Sequence, residues 1–169
     1  MTDALNALAP HFFQVGYVVP DLEAAEAWFG RVFGVKYFER MEGIEMKEGC
    51  RYRGGPSNGV LDLSLGFLGV TQLELVRPAS GQTIHGDFQT AGGSGLHHVG
   101  FVVPDFAETT ARLAQEIGRP ASDGVIAGGM RVDFAYYECP EAHASTIEIL
   151  GFDDAARAFM TELKQKSRL

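Results

Sequence analysis

Cysteine, basic side chains and long apolar runs are all scarce in this chain of 169 residues. The two cysteines, Cys50 and Cys139, belong neither to a CxxC pair nor to another metal-binding spacing, so we expect two reduced thiols. The 14 Lys and Arg residues are outnumbered by 22 Asp and Glu, which gives a formal net charge of -8 at pH 7. Because no basic stripe is available to displace counterions from phosphates, we expect no nucleic-acid partner.

The absence of long apolar runs excludes a membrane-spanning helix, which needs about 20 consecutive apolar residues. The N-terminal stretch MTDALNALAP lacks a basic start followed by an apolar run, so it does not resemble a secretory signal, and we expect a cytoplasmic location. Hydrophobic residues make up 46% and charged residues 21% of the chain, as in ordinary globular proteins. The length suits one core, or two small modules that share a sheet.

One phrase of eight residues occurs twice in the chain, as QVGYVVPD at 14–21 and as HVGFVVPD at 98–105. When residues 13–34 are aligned with 97–118, 8 of 22 positions are identical, including the closing glycine. Such self-similarity predicts an internal duplication.

Each copy of the phrase predicts a strand, a turn and a helix. A proline ends the strand in each copy, and the following Asp21 or Asp105 is placed to cap a helix. Gly34 and Gly118 are the predicted helix stops. The first helix also carries Trp28, which we expect in the core. The predicted apolar faces are Leu22, Ala25, Phe29, Val32 and Phe33 on the first helix, and Phe106, Thr109, Leu113 and Ile117 on the second.

Strand-like segments follow each helix. They are 36–41, 46–53, 60–67 and 70–76 in the first half, and 131–139 and 145–150 in the second, where 124–129 is a predicted flexible connection. The pattern predicts an α+β fold of two paired βαβββ modules. The expected boundaries are 11–80 and 96–151 for the modules, 81–95 for a linker or surface loop, and 152–169 for a C-terminal helix with Ala155, Phe159 and Leu163 on its apolar face.

The last strands of the two halves, TQLELV and STIEIL, align Glu74 with Glu148. One such glutamate alone would more readily face solvent. Here, however, the first strands of the two halves also carry Gln14 and His98 in equivalent positions. If the halves pair about a pseudo-twofold axis, all four side chains meet at one concave centre. Two carboxylates, one imidazole and one amide oxygen suit a divalent cation such as Zn, Ni, Co, Mn or Mg.

The paired VVPD phrases, the ELV and EIL strands and the LHHVGF segment resemble the vicinal oxygen chelate superfamily, from about His11 to Gly151. That superfamily includes glyoxalase I, methylmalonyl-CoA epimerase, extradiol dioxygenases and bleomycin-resistance proteins. The resemblance implies a U-shaped mixed sheet around a central cavity. It also implies one divalent metal ion, with Gln14, Glu74, His98 and Glu148 as its ligands.

This ligand set resembles that of glyoxalase I, while the epimerases have a related set with His first and Gln second. The resemblance implies a metal-dependent isomerase or lyase of the glyoxalase type. It would move a proton alpha to a carbonyl and hold an enediolate or enolate on the metal, for which Zn is the first choice before Ni, Co or Mn. Glu148 and then Glu74 are the implied catalytic proton shuttles. A small-molecule substrate and a homodimer are also expected.

Three alternatives remain open at this point. One is an epimerase of an acyl-CoA-like substrate, and another is a metal-free small-molecule binding or resistance protein. The third, an extradiol dioxygenase, resembles a site with two His and one carboxylate, whereas only His98 occupies such a position here. No evident basic set matches glutathione carboxylates. Arg51, Arg53 and Tyr136 are the expected substrate contacts, and Arg77 is also available.

The other histidines are predicted to lie outside the metal centre. His97 adjoins His98, and neighbouring strand residues point to opposite faces of a sheet. His11 has the wrong parity relative to Gln14. His85 and His143 lie in loop-like stretches.

Overall fold

The computed structural model describes residues 3–139 and 145–167. The helices in these ranges are α1 (Asp3–Asn6), a 3₁₀ helix (Ala9–His11), α2 (Leu22–Phe33), α3 (Ile84–Thr90), α4 (Phe106–Glu116) and α5 (Asp154–Lys166). The strands are β1 (Phe12–Val18), β2 (Glu39–Met46), β3 (Arg51–Tyr52), β4 (Gly55–Pro56), β5 (Gly59–Leu68), β6 (Thr71–Ser80), β7 (Gly95–Val102), β8 (Ser122–Ala127), β9 (Arg131–Cys139) and β10 (Ser145–Phe152).

All these strands belong to one mixed sheet in the order β2-β5-β6-β1-β7-β10-β9-β8-β3-β4. Strand β1 is parallel to β6, and β7 is parallel to β10. The two halves meet at the centre, where β1 pairs with β7 in antiparallel register. The predicted α+β fold with a mixed sheet is therefore confirmed.

Helices α2 and α4 begin as the repeated phrase predicts. The Asp21 side chain accepts a hydrogen bond from the backbone N–H of Ala24, and Asp105 accepts one from Glu108. Gly34 ends α2 in the left-handed region at φ 75°, which glycine adopts without steric cost. Both helices pack on the convex side of the sheet, where they cover alternate apolar residues of β6 and β10.

The predicted core position of Trp28 is wrong, because 43% of this residue is exposed on the outer side of α2. Val32 and Phe33 are about half exposed on the same helix. The residues of α2 that bury themselves against the sheet are Leu22 and Phe29. Apolar residues occupy more than one side of this helix, so helical spacing alone did not identify the buried side.

Three segments differ from their predicted form. The predicted strand 46–53 is split, and its second part forms the short hairpin β3–β4, which pairs with β8 of the other half. The segment 124–129, predicted as a flexible connection, contributes to β8, which pairs along its length with β9. The stretch 81–95, predicted as a linker or loop, contains α3. Glycine and polar residues masked these elements in the sequence.

Helix α5 confirms the predicted C-terminal helix, with Asp153 as its N-cap. Its buried residues are Ala156, Met160 and Leu163, so the predicted apolar face is correct at Leu163 and displaced by one position elsewhere. Met160 and Leu163 pack against Leu65 and Phe67 of β5. In the described part of the chain, no helix combines the length and the hydropathy needed to span a membrane.

Candidate metal centre

The four central strands of the sheet, β6, β1, β7 and β10, each contribute one of the predicted ligands. Glu74 lies on β6, Gln14 on β1, His98 on β7 and Glu148 on β10. All four side chains are buried. The structure therefore brings together the complete set that the sequence pairs by duplication.

The direction of the two glutamates follows from strand alternation. On β6, Leu73 and Leu75 point to the convex side, where they pack under α2. On β10, Ile149 packs in the same manner under α4. Because successive side chains of a strand point to opposite faces, Glu74 and Glu148 are directed to the concave side.

The glycine of each repeated phrase makes room for side chains of the other strands. In the sheet register Gly16 lies between Glu74 and His98, and Gly100 lies between Gln14 and Glu148. A Cβ atom on Gly16 would lie 2.0 Å from Nε2 of His98, and one on Gly100 would lie 2.5 Å from Oε1 of Gln14. Each half therefore supplies a gap that a ligand of the other half fills.

Four polar atoms converge at this centre without a hydrogen-bond partner among the described residues. They are Oε1 of Gln14, Oε2 of Glu74, Nε2 of His98 and Oε2 of Glu148. His98 Nε2 lies 3.1 Å from Glu74 Oε2 and 3.4 Å from Glu148 Oε2, so these three atoms lie close together. Buried polar atoms without partners cost free energy, so this cluster requires an explanation.

The amide of Gln14 is oriented by a neighbour on β6. Its Nε2 donates a hydrogen bond of 2.8 Å to Oε1 of Gln72, and Nε2 of Gln72 in turn donates to the sulfur of Met160. With its nitrogen engaged, Gln14 presents its oxygen to the centre. An oxygen with free lone pairs is the end of an amide that binds a cation.

The ring of His98 is oriented by His97. The two Nδ1 atoms are 3.0 Å apart. Burial and the proximity of His98 lower the pKa of His97 to about 3, and a hydrogen bond to the backbone carbonyl of Ile84 opposes that effect. A neutral His97 that donates to Ile84 has an acceptor left at Nδ1, so His98 must donate from Nδ1. That tautomer leaves a lone pair on Nε2, directed at the two glutamates.

Burial also shapes the protonation of the centre. It raises the pKa of Glu148 to about 7, where the effect of Glu74 adds to it and that of His98 opposes it. Burial disfavours the imidazolium form of His98, but the carboxylates of Glu148 and Glu74 raise its pKa above the ordinary value. Tyr136 donates a hydrogen bond to Glu148. In the metal-free chain the two carboxylates thus favour a proton on His98, and a bound cation would take the place of that proton.

The residues fit a divalent cation. Glu74, His98 and Glu148 each offer a ligand atom within 4.8 Å of the other two, and the free oxygen of Gln14 lies beside them at Gly100. Ligands of one ion at about 2.0–2.2 Å would need only small side-chain adjustments to converge. Two carboxylates would neutralise the charge of the ion. Carboxylate, amide and imidazole donors match Zn and similar metals better than soft-metal sites.

Comparison with known proteins agrees with this geometry. A family model described as the Glyoxalase/Bleomycin resistance protein/Dioxygenase superfamily matches residues 13–136. The chain belongs to this superfamily. The resemblance to the vicinal oxygen chelate proteins is therefore confirmed, and enzymes of this superfamily generally use a divalent metal. No curated protein sequence matches the chain significantly.

Several solved structures share the superfamily fold. A methylmalonyl-CoA epimerase variant from Streptomyces coelicolor, in complex with 2-nitronate-propionyl-CoA, has a TM-score of 0.60 and 15% identity, over 86% of this chain and 96% of that chain. The epimerase from Mycobacterium tuberculosis has a TM-score of 0.60 and 18% identity, over 89% and 93%. A hypothetical protein from Bacillus halodurans has a TM-score of 0.55 and 15% identity, over 85% and 94%. At these identities the similarity shows the fold.

A cavity of about 260 Å³ lies beside the candidate metal centre of the chain. Gln14, Glu74 and Glu148 line its polar end together with Tyr136. Apolar residues of β2, β5, β9, β10 and α5 form most of the remaining wall. The arrangement places a small apolar compartment directly next to the carboxylates of Glu74 and Glu148 and the amide of Gln14.

The predicted arginine contacts lie elsewhere. Arg51 pairs with Asp123, and Arg53 pairs with both Asp87 and Glu138. Neither arginine lines the cavity, and acidic partners already engage both. Arg77, on β6, pairs with Asp62. Of the three residues expected to contact substrate, only Tyr136 lies at the cavity wall.

His85 is a residue of the site that sequence reasoning missed. It lies on α3, is 1% exposed, lines the cavity and packs edge-on against Tyr136. Both of its ring nitrogens lack partners within the described residues. Burial lowers its pKa well below the ordinary value, with His97 and His98 contributing. No sequence motif indicates His85 as a site residue. Its contact with His97 and His98 arises only in the fold, where α3 packs against the sheet.

Among the described residues, His11 and His97 supply none of the four converging donor atoms. His11 ends the 3₁₀ helix and lines a separate surface depression near α1 and α4. His143 lies outside the described residues. His97 is buried behind His98, as a supporting residue and not as one of the four converging donors.

Proposed function

We propose that this chain is a metal-dependent isomerase or lyase that moves a proton alpha to a carbonyl of a small-molecule substrate. The observation that carries the proposal is the convergence of four buried, unpartnered donor atoms at the polar end of a cavity. Zn is our first choice of metal, before Ni, Co or Mn. A bound ion of this kind would act as a Lewis acid and stabilise negative charge that develops on a substrate oxygen.

Glu148 is the proposed proton shuttle. A general base must lie within hydrogen-bond reach of the proton it removes, and Glu148 lines the polar end of the cavity beside the other candidate ligands. The Tyr136 hydroxyl beside it holds the carboxylate in place and lines the cavity. Glu74 faces it across His98 and is the second candidate for the same role.

Two versions of this chemistry fit the site. The set of one amide, one imidazole and two carboxylates favours transfer between neighbouring carbons, as in glyoxalase I. The solved methylmalonyl-CoA epimerases with the same fold favour removal and return of a proton at a single carbon, as in an acyl-CoA-like substrate. Both begin with proton abstraction by a carboxylate next to a polarised carbonyl.

Solvent exchange tests this shared first step. We would load the chain with Zn, add a panel of α-hydroxy ketones and 2-methyl-branched thioesters in D₂O, and follow deuterium at the α carbon by NMR. We expect exchange with at least one class, and its loss in Glu148→Gln. The matched control is Glu45→Gln, an exposed glutamate paired with Lys47, which should exchange normally. Exchange that survives in Glu148→Gln would remove Glu148 from the role.

The same preparation separates the alternatives. If the chain binds no divalent metal and the panel shows no exchange, it is a metal-free binding or resistance protein. If it binds iron and consumes oxygen with a catechol, it is an extradiol dioxygenase. Either result would contradict the proposed isomerase.

We also propose that the chain forms a homodimer, as the family resemblance implies. The exposed apolar residues Trp28, Val32 and Phe33 on the outer side of α2 offer a surface for a second copy. Light scattering after size-exclusion chromatography should give twice the chain mass of 18.3 kDa. Trp28→Glu should give a monomer, whereas Val70→Glu, at an exposed apolar residue elsewhere, should not. A monomeric parent chain would exclude this dimer.

A further inference from the structure

The wall of the cavity lacks a basic side chain. Neither Lys nor Arg is among the described residues that line it. Four of the five methionines of the chain do line it, namely Met41, Met46, Met130 and Met160. Methionine side chains are flexible and polarisable, so such a wall adapts to apolar ligands of different shapes. The composition of the wall therefore favours the binding of apolar ligands.

The polar groups of the wall are few, and most of them are already engaged. The side-chain amide of Gln72 accepts a hydrogen bond from Gln14 and donates one to the sulfur of Met160. Tyr136 contacts Glu148. His85 alone among the polar wall residues outside the four donors has two unpartnered nitrogens. In its neutral form this imidazole offers one donor and one acceptor, which suits an uncharged oxygen.

The arginines near the wall provide no counter-charge, since Arg131, which lies between the wall residues Met130 and Val132, already pairs with Asp133. Arg51 and Arg53 lie outside the cavity and are paired with Asp123 and with Asp87 and Glu138. A carboxylate or phosphate placed in the apolar part of the cavity would therefore lose its hydration without gaining a counter-charge. Burying an unpaired charge is among the most costly changes that binding can impose.

We propose that the part of the substrate that enters this cavity is uncharged, with a carbonyl group and a hydrophobic body that fills the methionine-lined space. Its carbonyl end lies at the four donor atoms, and one neutral oxygen accepts from or donates to His85. The cavity volume of about 260 Å³ lies just below the usual range of about 300–1,000 Å³ for ligand pockets, so the body is compact. The inference of a carbonyl end rests on the proposed function. The inference of a hydrophobic body rests only on the residues of the cavity wall.

A pair of probes that differ by one charge tests the proposal. Phenylacetohydroxamic acid carries a chelating end and a neutral apolar body, and 4-carboxyphenylacetohydroxamic acid adds a carboxylate to that body. We would measure both by isothermal titration calorimetry on the Zn-loaded chain. The carboxylated probe should bind at least tenfold more weakly. Equal or tighter binding of the carboxylated probe would overturn the proposal.

A charge introduced into the wall should reverse this preference. Met130 is half-buried at the edge of the cavity, so Met130→Lys adds a cation where the fold tolerates one. We expect the affinity ratio of the two probes to fall by about tenfold or more in this variant. Val70→Lys, which adds the same charge at an exposed site outside the cavity, should leave the ratio unchanged. A ratio that changes equally in both variants would contradict the role of the wall.

A second measurement tests ligand binding by the cavity in the absence of metal. In chain labelled with ¹³C at the methionine methyls and treated with chelator, acetophenone should shift the signals of the four cavity methionines, and 4-acetylbenzoate should not. If acetophenone shifts them but the chain never binds Zn, the proposed function fails and the hydrophobic cavity stands. If Zn binds but only 4-acetylbenzoate shifts them, the substrate class fails and the proposed function stands.

Discussion

His98 contacts different partners through its two ring nitrogens, and its usefulness as a ligand depends on which one carries the proton. Nδ1 of His97 accepts a hydrogen bond from the Nδ1–H of His98, because the other ring nitrogen of His97 donates to the carbonyl of Ile84. Partners of this kind typically change metal affinity by 10- to 100-fold when they are removed. The adjacency of His97 and His98 in the sequence thus has a physical reason that strand parity alone did not provide. Parity placed the two rings on opposite sides, and a contact between neighbouring rings requires the strand to depart from that rule.

Substitution of His97 should expose this dependence. His97→Phe removes the acceptor and is expected to weaken Zn binding by 10- to 100-fold, whereas His97→Asn keeps an oxygen near the Nδ1 position and should retain most of the affinity. Calorimetry gives the affinity, and ¹⁵N NMR of the His98 ring gives the tautomer. A purely structural role would weaken both variants alike, without a change in tautomer.

Glu148 makes the stability of the metal-free chain depend on pH. Burial raises its pKa from 4.5 to about 7, so the folded chain binds its proton more tightly than the unfolded chain. The free energy of unfolding should therefore fall as pH rises from about 4.5 to about 7, by roughly 3 kcal/mol for a change of that size. His98, whose pKa is raised in the folded chain, acts in the same direction.

Urea unfolding of chelator-treated chain at pH 5 and pH 8 checks this dependence. Glu148→Gln stays neutral, so its stability relative to the parent should improve between pH 5 and pH 8. Glu45→Gln, at an exposed position, is the control and should follow the parent. A pH dependence that is identical in parent and Glu148→Gln would show that Glu148 ionises normally.

At the scale of elements, the duplication predicted the central strands well. Two copies of one phrase define the registers of β1 and β7, and their partners β6 and β10 carry the matched glutamates. Elements outside the duplicated phrase were predicted less well, because glycine-rich and polar stretches give weak periodic signals. Helix α3 and strand β8 lie in such stretches, and His85 was missed for that reason.

The close approach of β1 and β7 can be tested at Gly16. A Cβ atom there would overlap the His98 ring at 2.0 Å, so Gly16→Ala must displace that ring. We expect a loss of about 1–3 kcal/mol in the free energy of unfolding, the usual cost of overpacking, together with loss of Zn binding. Gly128→Ala is the matched control, since a Cβ at Gly128 meets open space. Unchanged Zn affinity in Gly16→Ala would contradict the packing of His98 over Gly16.

At the scale of the whole molecule, two similar halves form one sheet, and each half completes the other. Neither half alone contains the four donors, since Gln14 and Glu74 come from the first and His98 and Glu148 from the second. The duplicated sequence predicted this meeting, and the family resemblance assigned a metal to it. The family resemblance predicted a central cavity, but the apolar lining of that cavity was not predicted, because its wall combines residues from β2, β5, β9, β10 and α5 that share no motif.

The direct test of the central claim is the metal content of the chain. After dialysis against Zn, elemental analysis should find one Zn per chain, and chelator should remove it and lower the melting temperature. His98→Ala should hold none, and His11→Ala, a histidine outside the centre, should hold one. A parent chain that binds no Zn, Ni, Co or Mn, or a His98→Ala variant that binds Zn as tightly as the parent, would contradict the account.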